Sequence, residues 1–129
     1  MRLLLDTHTL IWLATEPERL PSSVFNFLTE PTNELFLSVA SIWEMQIKCQ
    51  SGKLNFGRPL SQLIGNQLVQ NGLNVLLVEP SHIFALQNLP DLHRDPFDRI
   101  MIAQAIVEDL SFVSADSVCT QYPVSILWG

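Results

Sequence analysis

The stretch RLLLDTHTLIWLAT, residues 2–15, passes from a short apolar run into a helical pattern through one aspartate. Residues 2–5 predict a buried strand, and residues 7–15 predict a helix with one apolar face. Asp6 stands at the junction, where a carboxylate can cap the helix. A short apolar strand followed directly by a helix is typical of a parallel sheet covered by helices on both faces.

The same alternation continues along the chain. Further strands are predicted at 34–38, 74–78, 111–114 and 124–128, and helices at 22–29, 39–51, 59–71, 81–88 and 98–108. The last of these helices is apolar nearly all round, which indicates burial on most sides. We therefore predict an α/β fold, an α/β/α sandwich with a mainly parallel central sheet.

Length and composition are those of one folded domain spanning residues 1–129. Hydrophobic residues make up 47% and charged residues 16%, which argues against disorder. Two cysteines without CxxC spacing predict reduced thiols. No targeting segment is visible and no apolar run approaches the length of a membrane span. We expect a cytoplasmic protein without membrane attachment.

The net charge is −6 and the pI about 4.8. Such an acidic chain does not offer the broad basic surface of many nucleic-acid-binding proteins. A nuclease stays compatible with this charge, because bound divalent cations change the charge of an acidic cleft.

Several acidic residues stand near strand ends or helix starts. Asp6 follows the first strand and Asp116 follows the fourth. Glu44 lies inside the helix after the second strand, and Asp98 opens the apolar helix. Because sites in such folds gather at the carboxyl ends of the strands, we expect these four carboxylates to converge.

Each of these acids also has a structural interpretation. Asp6 and Asp116 can cap the helical turns that follow them. Glu44 and Lys48 form an i, i+4 pair, worth roughly 0.3 kcal/mol on a helix surface.

The segment HRDPFDRI, residues 93–100, carries two aspartates around a proline. Asp95 suits the N-cap, Pro96 the first helical position and Asp98 the first turn. Since one cap needs one carboxylate, this pattern favours Asp95 as the cap and Asp98 as a metal ligand. Spacing alone leaves either aspartate open as the third member of the acidic set.

Clustered carboxylates repel one another, and their pKa values rise unless cations lie among them. Oxygen ligands without cysteine or paired histidine suit Mg²⁺ or Mn²⁺ better than zinc. A water held by such a cation is a good nucleophile, and the cation stabilises the charge that develops on a phosphodiester. The acidic set therefore predicts metal-dependent hydrolysis of a nucleic-acid backbone.

Other polar residues near the acids have weaker assignments. Thr7 either contacts a metal-bound water or a phosphate, or only begins the helix. Arg94 and Arg99 either contact phosphates in a bidentate way or act as solvated partners of nearby acids. His8 and His93 are interpreted as structural residues, since a lone histidine more often is. Tryptophans are interpreted as core or dimer contacts: Trp12, Trp43 and Trp128.

Four ordered segments carry a family resemblance: LLLDTHTLIWL (3–13), SVASIWEMQIKCQSGKL (38–54), HRDPFDRIMIAQA (93–105) and FVSADSV with YPVSILW (112–118 and 122–128). Together they resemble PIN-domain proteins, specifically the VapC-type toxin branch. Ser117 and Val118 depart from the pattern, because relatives often carry an acidic residue and an aromatic one after the last aspartate.

The resemblance implies a compact α/β/α fold and a Mg²⁺- or Mn²⁺-dependent endoribonuclease acting on RNA. It assigns the catalytic and metal-binding acids to Asp6, Glu44, Asp98 and Asp116. It further implies a toxin–antitoxin pair, a cognate antitoxin whose C-terminal segment blocks the cleft through a basic side chain, and a homodimer.

Two alternatives stay open. A metal-dependent phosphatase would use Asp6 as nucleophile, but its pattern requires a second aspartate where this chain has His8. A non-catalytic PIN-fold binding module would use the acids only as helix caps and would bind no divalent cation.

Overall fold

Five parallel strands form the central sheet of the computed structural model, which describes residues 1–93 and 95–129. The strands are β1 (Arg2–Leu5), β2 (Glu34–Ser38), β3 (Leu73–Leu76), β4 (Ser111–Val113) and β5 (Ile126–Leu127). Their order across the sheet is β3-β2-β1-β4-β5, and each neighbouring pair is parallel. The predicted α/β fold with a parallel sheet is confirmed.

Within the described residues, six α-helices connect and cover the strands. They are α1 (Thr7–Thr15), α2 (Ser22–Thr29), α3 (Val39–Gln50), α4 (Leu60–Gln70), α5 (Pro80–Ala85) and α6 (Pro96–Val107). Short 3₁₀ turns lie at Pro17–Arg19, Leu86–Asn88 and Ser117–Gln121. No helix in the described ranges is long and apolar enough to cross a membrane.

Strand β1 is covered on both faces, as its unbroken apolar sequence predicts. Successive side chains of a strand point to opposite faces. Leu3 and Leu5 therefore join one hydrophobic cluster, and Leu4 joins the other, which contains Met101 and Phe112. All five side chains are fully buried. The sheet thus has a helical layer packed on each face, with β1 at its centre.

Two element boundaries differ from the predicted ones because of local capping. Helix α6 begins at Pro96, two residues before the predicted range of 98–108, and the predicted assignment of Asp95 to its N-cap and Pro96 to its first position is confirmed. Helix α5 begins at Pro80, with Glu79 rather than Ser81 at the N-cap. The backbone N–H of Glu79 donates to Nδ1 of His82 at 2.9 Å, which holds the first turn.

Both cysteines are free thiols, as predicted. Cys49 is half-buried near the end of α3, whereas Cys119 is buried. Burial raises the pKa of the Cys119 thiol to about 12, with the nearby charge of Asp116 acting in the same direction.

The path of the chain reverses at β1. It runs outward through β2 and β3 and then returns to place β4 on the other side of β1. In a sheet of this kind, the crevice beyond the carboxyl ends of the strands at such a reversal is the usual ligand site. The backbone N–H of Asp6 donates to the Val113 carbonyl at 3.1 Å, which joins the ends of β1 and β4 at this point.

Candidate metal centre

Asp6 leaves the end of β1 and is the N-cap of α1. Its Oδ1 accepts a hydrogen bond from the Thr9 backbone N–H at 2.7 Å. The residue is only 7% exposed, so its carboxylate is held in place by the cap and largely withdrawn from water. Helix capping and a place in the acidic set are therefore compatible for this residue.

Glu44 enters the site from α3 and is held through both of its oxygens. Oε1 accepts from the Thr7 hydroxyl at 2.6 Å, and Oε2 accepts from Lys48 Nζ at 2.8 Å. Because Thr7 donates its single hydroxyl proton to Glu44, the Ser41 hydroxyl at 2.8 Å must donate to Thr7. Thr7 thus orients a buried carboxylate in addition to beginning α1.

The sequence left open which of Asp95 and Asp98 caps α6 and which belongs to the acidic set. Asp95 is the N-cap of α6, and its Oδ1 accepts from the Phe97 N–H at 2.9 Å. Asp98 lies in the first turn of the same helix, and its Oδ2 is 3.1 Å from His93 Nε2. Both carboxylates line the same cavity, so the capping aspartate also contributes negative charge to the site.

Asp116 follows β4 and caps the 3₁₀ turn Ser117–Gln121. Its Oδ1 accepts from the Val118 N–H at 3.0 Å, and its Oδ2 lies 2.8 Å from His93 Nε2. The Asp116 backbone N–H donates to Ser114 Oγ at 3.1 Å. One oxygen therefore fixes the turn while the other faces the cluster.

The acids meet in one cavity of about 150 Å³ beyond the ends of β1 and β4. Its lining consists of Asp6, Thr7, His8, Glu44, Lys48, Asp95, Asp98 and Asp116. The structure thus brings together all four predicted carboxylates with two of the accessory residues.

Arg99, from the predicted accessory set, is not part of this lining. Arg99 Nη1 donates to the Pro90 carbonyl at 2.8 Å and to the Tyr122 hydroxyl at 3.3 Å, so it supports the loop before α6. Arg94 lies outside the described residues.

His93 contacts two of the acids directly, which the sequence did not predict. A structural role was the expectation, yet Nε2 contacts Asp98 and Asp116 together. Its position five residues before Asp98 is visible in the sequence, but its contact with Asp116 spans 23 residues. Lys48 also lines the cavity, where the sequence indicated only its pair with Glu44.

Burial and mutual repulsion govern the protonation of the cluster. Burial raises the pKa of Asp6. Burial, followed by repulsion from Asp95, raises the pKa of Asp98 to about 7. Partial burial acts in the same direction on Asp116, but N–H donors from His93 and Val118 outweigh it and lower the pKa of that residue. Asp6 and Asp98 therefore carry poorly solvated negative charge when they are ionised.

A PIN-domain family model matches residues 3–124, nearly the whole chain. This chain belongs to the PIN-domain family. The match begins within β1, before Asp6, and extends beyond Asp116, so it contains every residue of the acidic cavity.

Solved structures share the fold of this PIN domain. VapBC2 from Rickettsia felis, bound to a DNA fragment from their promoter, contains a chain with TM-score 0.78 and 17% identity, with 100% of both chains covered. DNA-bound VapBC from Salmonella typhimurium contains a chain with TM-score 0.69 and 14% identity, with 98% of this chain and 97% of the other covered. VapBC-1 from nontypeable Haemophilus influenzae contains a chain with TM-score 0.65 and 18% identity, again with 98% of this chain and 97% of the other covered. The likeness to VapBC structures agrees with the sequence resemblance to the VapC-type branch. No curated protein is significantly similar in sequence.

The side chains of this PIN domain fit a hard divalent cation. Carboxylate oxygens of Asp98 and Asp116 lie within 4.8 Å of each other. Asp6 and Glu44 add buried carboxylates to the same cavity. Carboxylate oxygens are the donors that Mg²⁺ and Mn²⁺ prefer, and a cation would offset the repulsion that raises the pKa of Asp98.

Proposed function

We propose that this PIN domain is a Mg²⁺- or Mn²⁺-dependent endoribonuclease and the toxin of a toxin–antitoxin pair. The observation that carries the proposal is the convergence of four carboxylates in one cavity: Asp6, Glu44, Asp98 and Asp116. Membership of the PIN family supports it, since VapC-type PIN domains are generally nucleases that use divalent cations.

Asp6, Asp98 and Asp116 are the residues that would hold the cation. When bound, such a cation lowers the pKa of water and offsets the charge that develops on a phosphodiester. Glu44 already accepts from Thr7 and Lys48, so we assign it to orienting a water molecule rather than to direct coordination.

Lys48 supplies a positive group at the edge of the acidic cavity. Its ammonium lies 2.8 Å from Glu44, and its side chain remains 34% exposed. A phosphate of an RNA strand would meet this ammonium before it met the buried acids. Because the chain as a whole is acidic, local contacts of this kind must contribute much of the attraction for a polyanion.

The expected partner is a cognate antitoxin. Three of the similar solved structures are VapBC complexes, which supports a partner of this kind. A cavity lined by four aspartates, one glutamate and one lysine suits a basic side chain from an inhibitory segment. Such a side chain would compete with the cation for the same carboxylates.

We also propose a homodimer that forms through an apolar face next to the acidic cavity. An apolar cavity of about 410 Å³ is lined by Val39, Ala40, Trp43, Val78, Ile83, Pro96, Phe97 and Ile100. Trp43 is 64% exposed and packs edge-on against Phe97. A second copy suits this face because it carries no charged side chain in its lining, and a two-fold interface uses the same patch twice.

Cleavage of RNA by the purified chain tests the nuclease. We expect cutting with Mg²⁺ or Mn²⁺, none with EDTA, and none in Asp6→Asn or Asp98→Asn proteins that keep wild-type circular dichroism. Asp109→Asn is the matched control, because Asp109 is exposed and lies outside the acidic cavity. Equal cutting by all variants would reveal a contaminating nuclease and contradict the proposal.

The same preparation separates the two alternatives. A phosphatase would form a phospho-enzyme that can be trapped on Asp6, and it would leave RNA intact. A non-catalytic binding module would leave RNA intact in every cation, and Asp6→Asn would change nothing beyond helix capping.

A further inference from the structure

The His93 side chain uses both ring nitrogens inside the acidic site. Nδ1 accepts a hydrogen bond from the Asp95 backbone N–H at 3.1 Å. Nε2 lies 2.8 Å from Asp116 Oδ2 and 3.1 Å from Asp98 Oδ2. The side chain is 18% exposed, so the ring is mostly withdrawn from water.

The contact at Nδ1 decides which nitrogen carries the proton of the neutral ring. A nitrogen that accepts an N–H has no proton of its own, so the proton is on Nε2. His93 therefore donates from Nε2 and has no lone pair there for a cation. A histidine that binds a metal shows the reverse arrangement, because its other nitrogen donates to a carbonyl or carboxylate.

The loop that carries His93 is fixed from outside the site. The His93 backbone N–H donates to the Tyr122 hydroxyl at 2.7 Å, and Tyr122 is 4% exposed. Arg99 donates to the same hydroxyl and to the Pro90 carbonyl. The imidazole is consequently held at its position by backbone and side-chain contacts that do not involve the acids.

The two aspartates that His93 contacts come from different elements. Asp98 belongs to the first turn of α6, and Asp116 follows β4. Their facing oxygens would repel and separate without a donor between them. Asp116 Oδ2 has two lone pairs, so it can accept from His93 Nε2 and still bind a cation.

We propose that His93 is a positioning residue that does not bind the cation itself: its Nε2–H donates to Asp116 and faces Asp98, and so keeps the two carboxylates together as a pre-formed cation-binding pair. The inference rests on the proposed function of this site. Ligands that are already in place bind with a smaller loss of conformational freedom. His93 therefore contributes to cation affinity through the geometry of its two partners.

Mn²⁺ binding to the purified full chain tests this role, with calorimetry and electron paramagnetic resonance as readouts. His93→Ala is expected to weaken Mn²⁺ affinity by about 10- to 100-fold, the usual effect of removing a supporting partner. His93→Gln places an amide N–H near the position of Nε2 and is expected to restore most of the loss. Leu92→Ala is the matched control, since Leu92 is the exposed neighbour in the same loop and lies outside the cavity lining.

Pulsed resonance spectra separate positioning from coordination. Mn²⁺ in the wild-type protein should show no coupling to a directly bound imidazole nitrogen. Such a coupling would overturn the inference. So would wild-type Mn²⁺ affinity in His93→Ala. A His93→Gln protein that unfolds normally but does not regain Mn²⁺ affinity would overturn it as well. In these cases the wild-type protein would still bind Mn²⁺ and cut RNA. A wild-type protein that does neither would overturn the proposed function as well.

Discussion

At the scale of single residues, Asp98 combines a place in the proposed cation site with a pKa raised to about 7 by burial and by repulsion from Asp95. Protons and cations compete for the same oxygens. In the cation-free protein, Asp98 binds a proton between its ordinary pKa of 3.8 and about 7, whereas the unfolded chain does not.

This raised pKa predicts how stability depends on pH. Because the folded state binds more protons in this window, Asp98 makes the free energy of unfolding fall as pH rises from about 4 to about 7. Asp6 acts in the same direction, since burial raises its pKa too. Thermal unfolding with EDTA across this window should show the slope, and Asp98→Asn should flatten it. An unchanged slope in Asp98→Asn would contradict the assignment.

Saturating Mn²⁺ should add most stability at the upper end of the same window, where the carboxylates are ionised. Equal stabilisation by Mn²⁺ at both ends would show that the cation binds elsewhere.

Thr7 allows a second test at this scale. Thr7→Val keeps the shape of the side chain but leaves Glu44 Oε1 without its donor at 2.6 Å. Leaving a buried acceptor unsatisfied costs about 1–3 kcal/mol, so denaturant unfolding should show a loss of this size together with weaker RNA cleavage. Thr7→Ser keeps the hydroxyl and should retain both properties. Similar losses in the two variants would point to packing rather than to the hydrogen bond.

The sequence identified the acidic residues but not all of their surroundings. Asp6, Asp95 and Asp116 are N-caps and also line the cavity, because a carboxylate has one oxygen for the cap and one for the site. The contact of His93 with Asp116 depends on how two distant loops meet. Local spacing carries no information on such a contact.

At the scale of secondary-structure elements, α6 shows how capping and function divide within one turn. Asp95→Ala removes the N-cap of this helix and should cost about 1 kcal/mol of stability. Asp95→Asn keeps the acceptor and should cost little. Chemical denaturation measures both variants. Equal losses would contradict the capping role seen in the Phe97 hydrogen bond.

The elements themselves were largely predictable from the sequence. β1, β2, α1 and α2 have the predicted bounds, because each has a clear apolar pattern next to a capping or terminating residue. β5 is reduced to Ile126–Leu127. The order of the strands was not predictable from local patterns, since it depends on which apolar faces bury each other.

At the scale of the whole molecule, the apolar face around Trp43 predicts the oligomeric state. Trp43→Glu places a charge on this face, where burying it against a second copy would be costly. We expect light scattering with size-exclusion chromatography to show a dimer for the wild type and a monomer for this variant. Val69→Glu is the control, because Val69 is 84% exposed on α4 and lies outside that face. A dimeric Trp43→Glu protein would place the interface elsewhere.

The reversal of the chain at β1 explains how residues far apart in sequence share one cavity. Asp6 and Asp116 follow neighbouring strands that the chain forms at its beginning and near its end. The matching relatives keep this architecture at 14–18% identity. The fold therefore depends on the apolar pattern and on strand order more than on particular side chains.

The contrast between the two thiols gives this protein a natural labelling site. Cys119 is buried and its pKa is raised to about 12, so little of the reactive thiolate forms there at neutral pH. Cys49 is only half-buried, and a maleimide dye should attach to it alone. The native chain can thus carry a single fluorophore at the end of α3, which would report the arrival of a partner without any engineered cysteine.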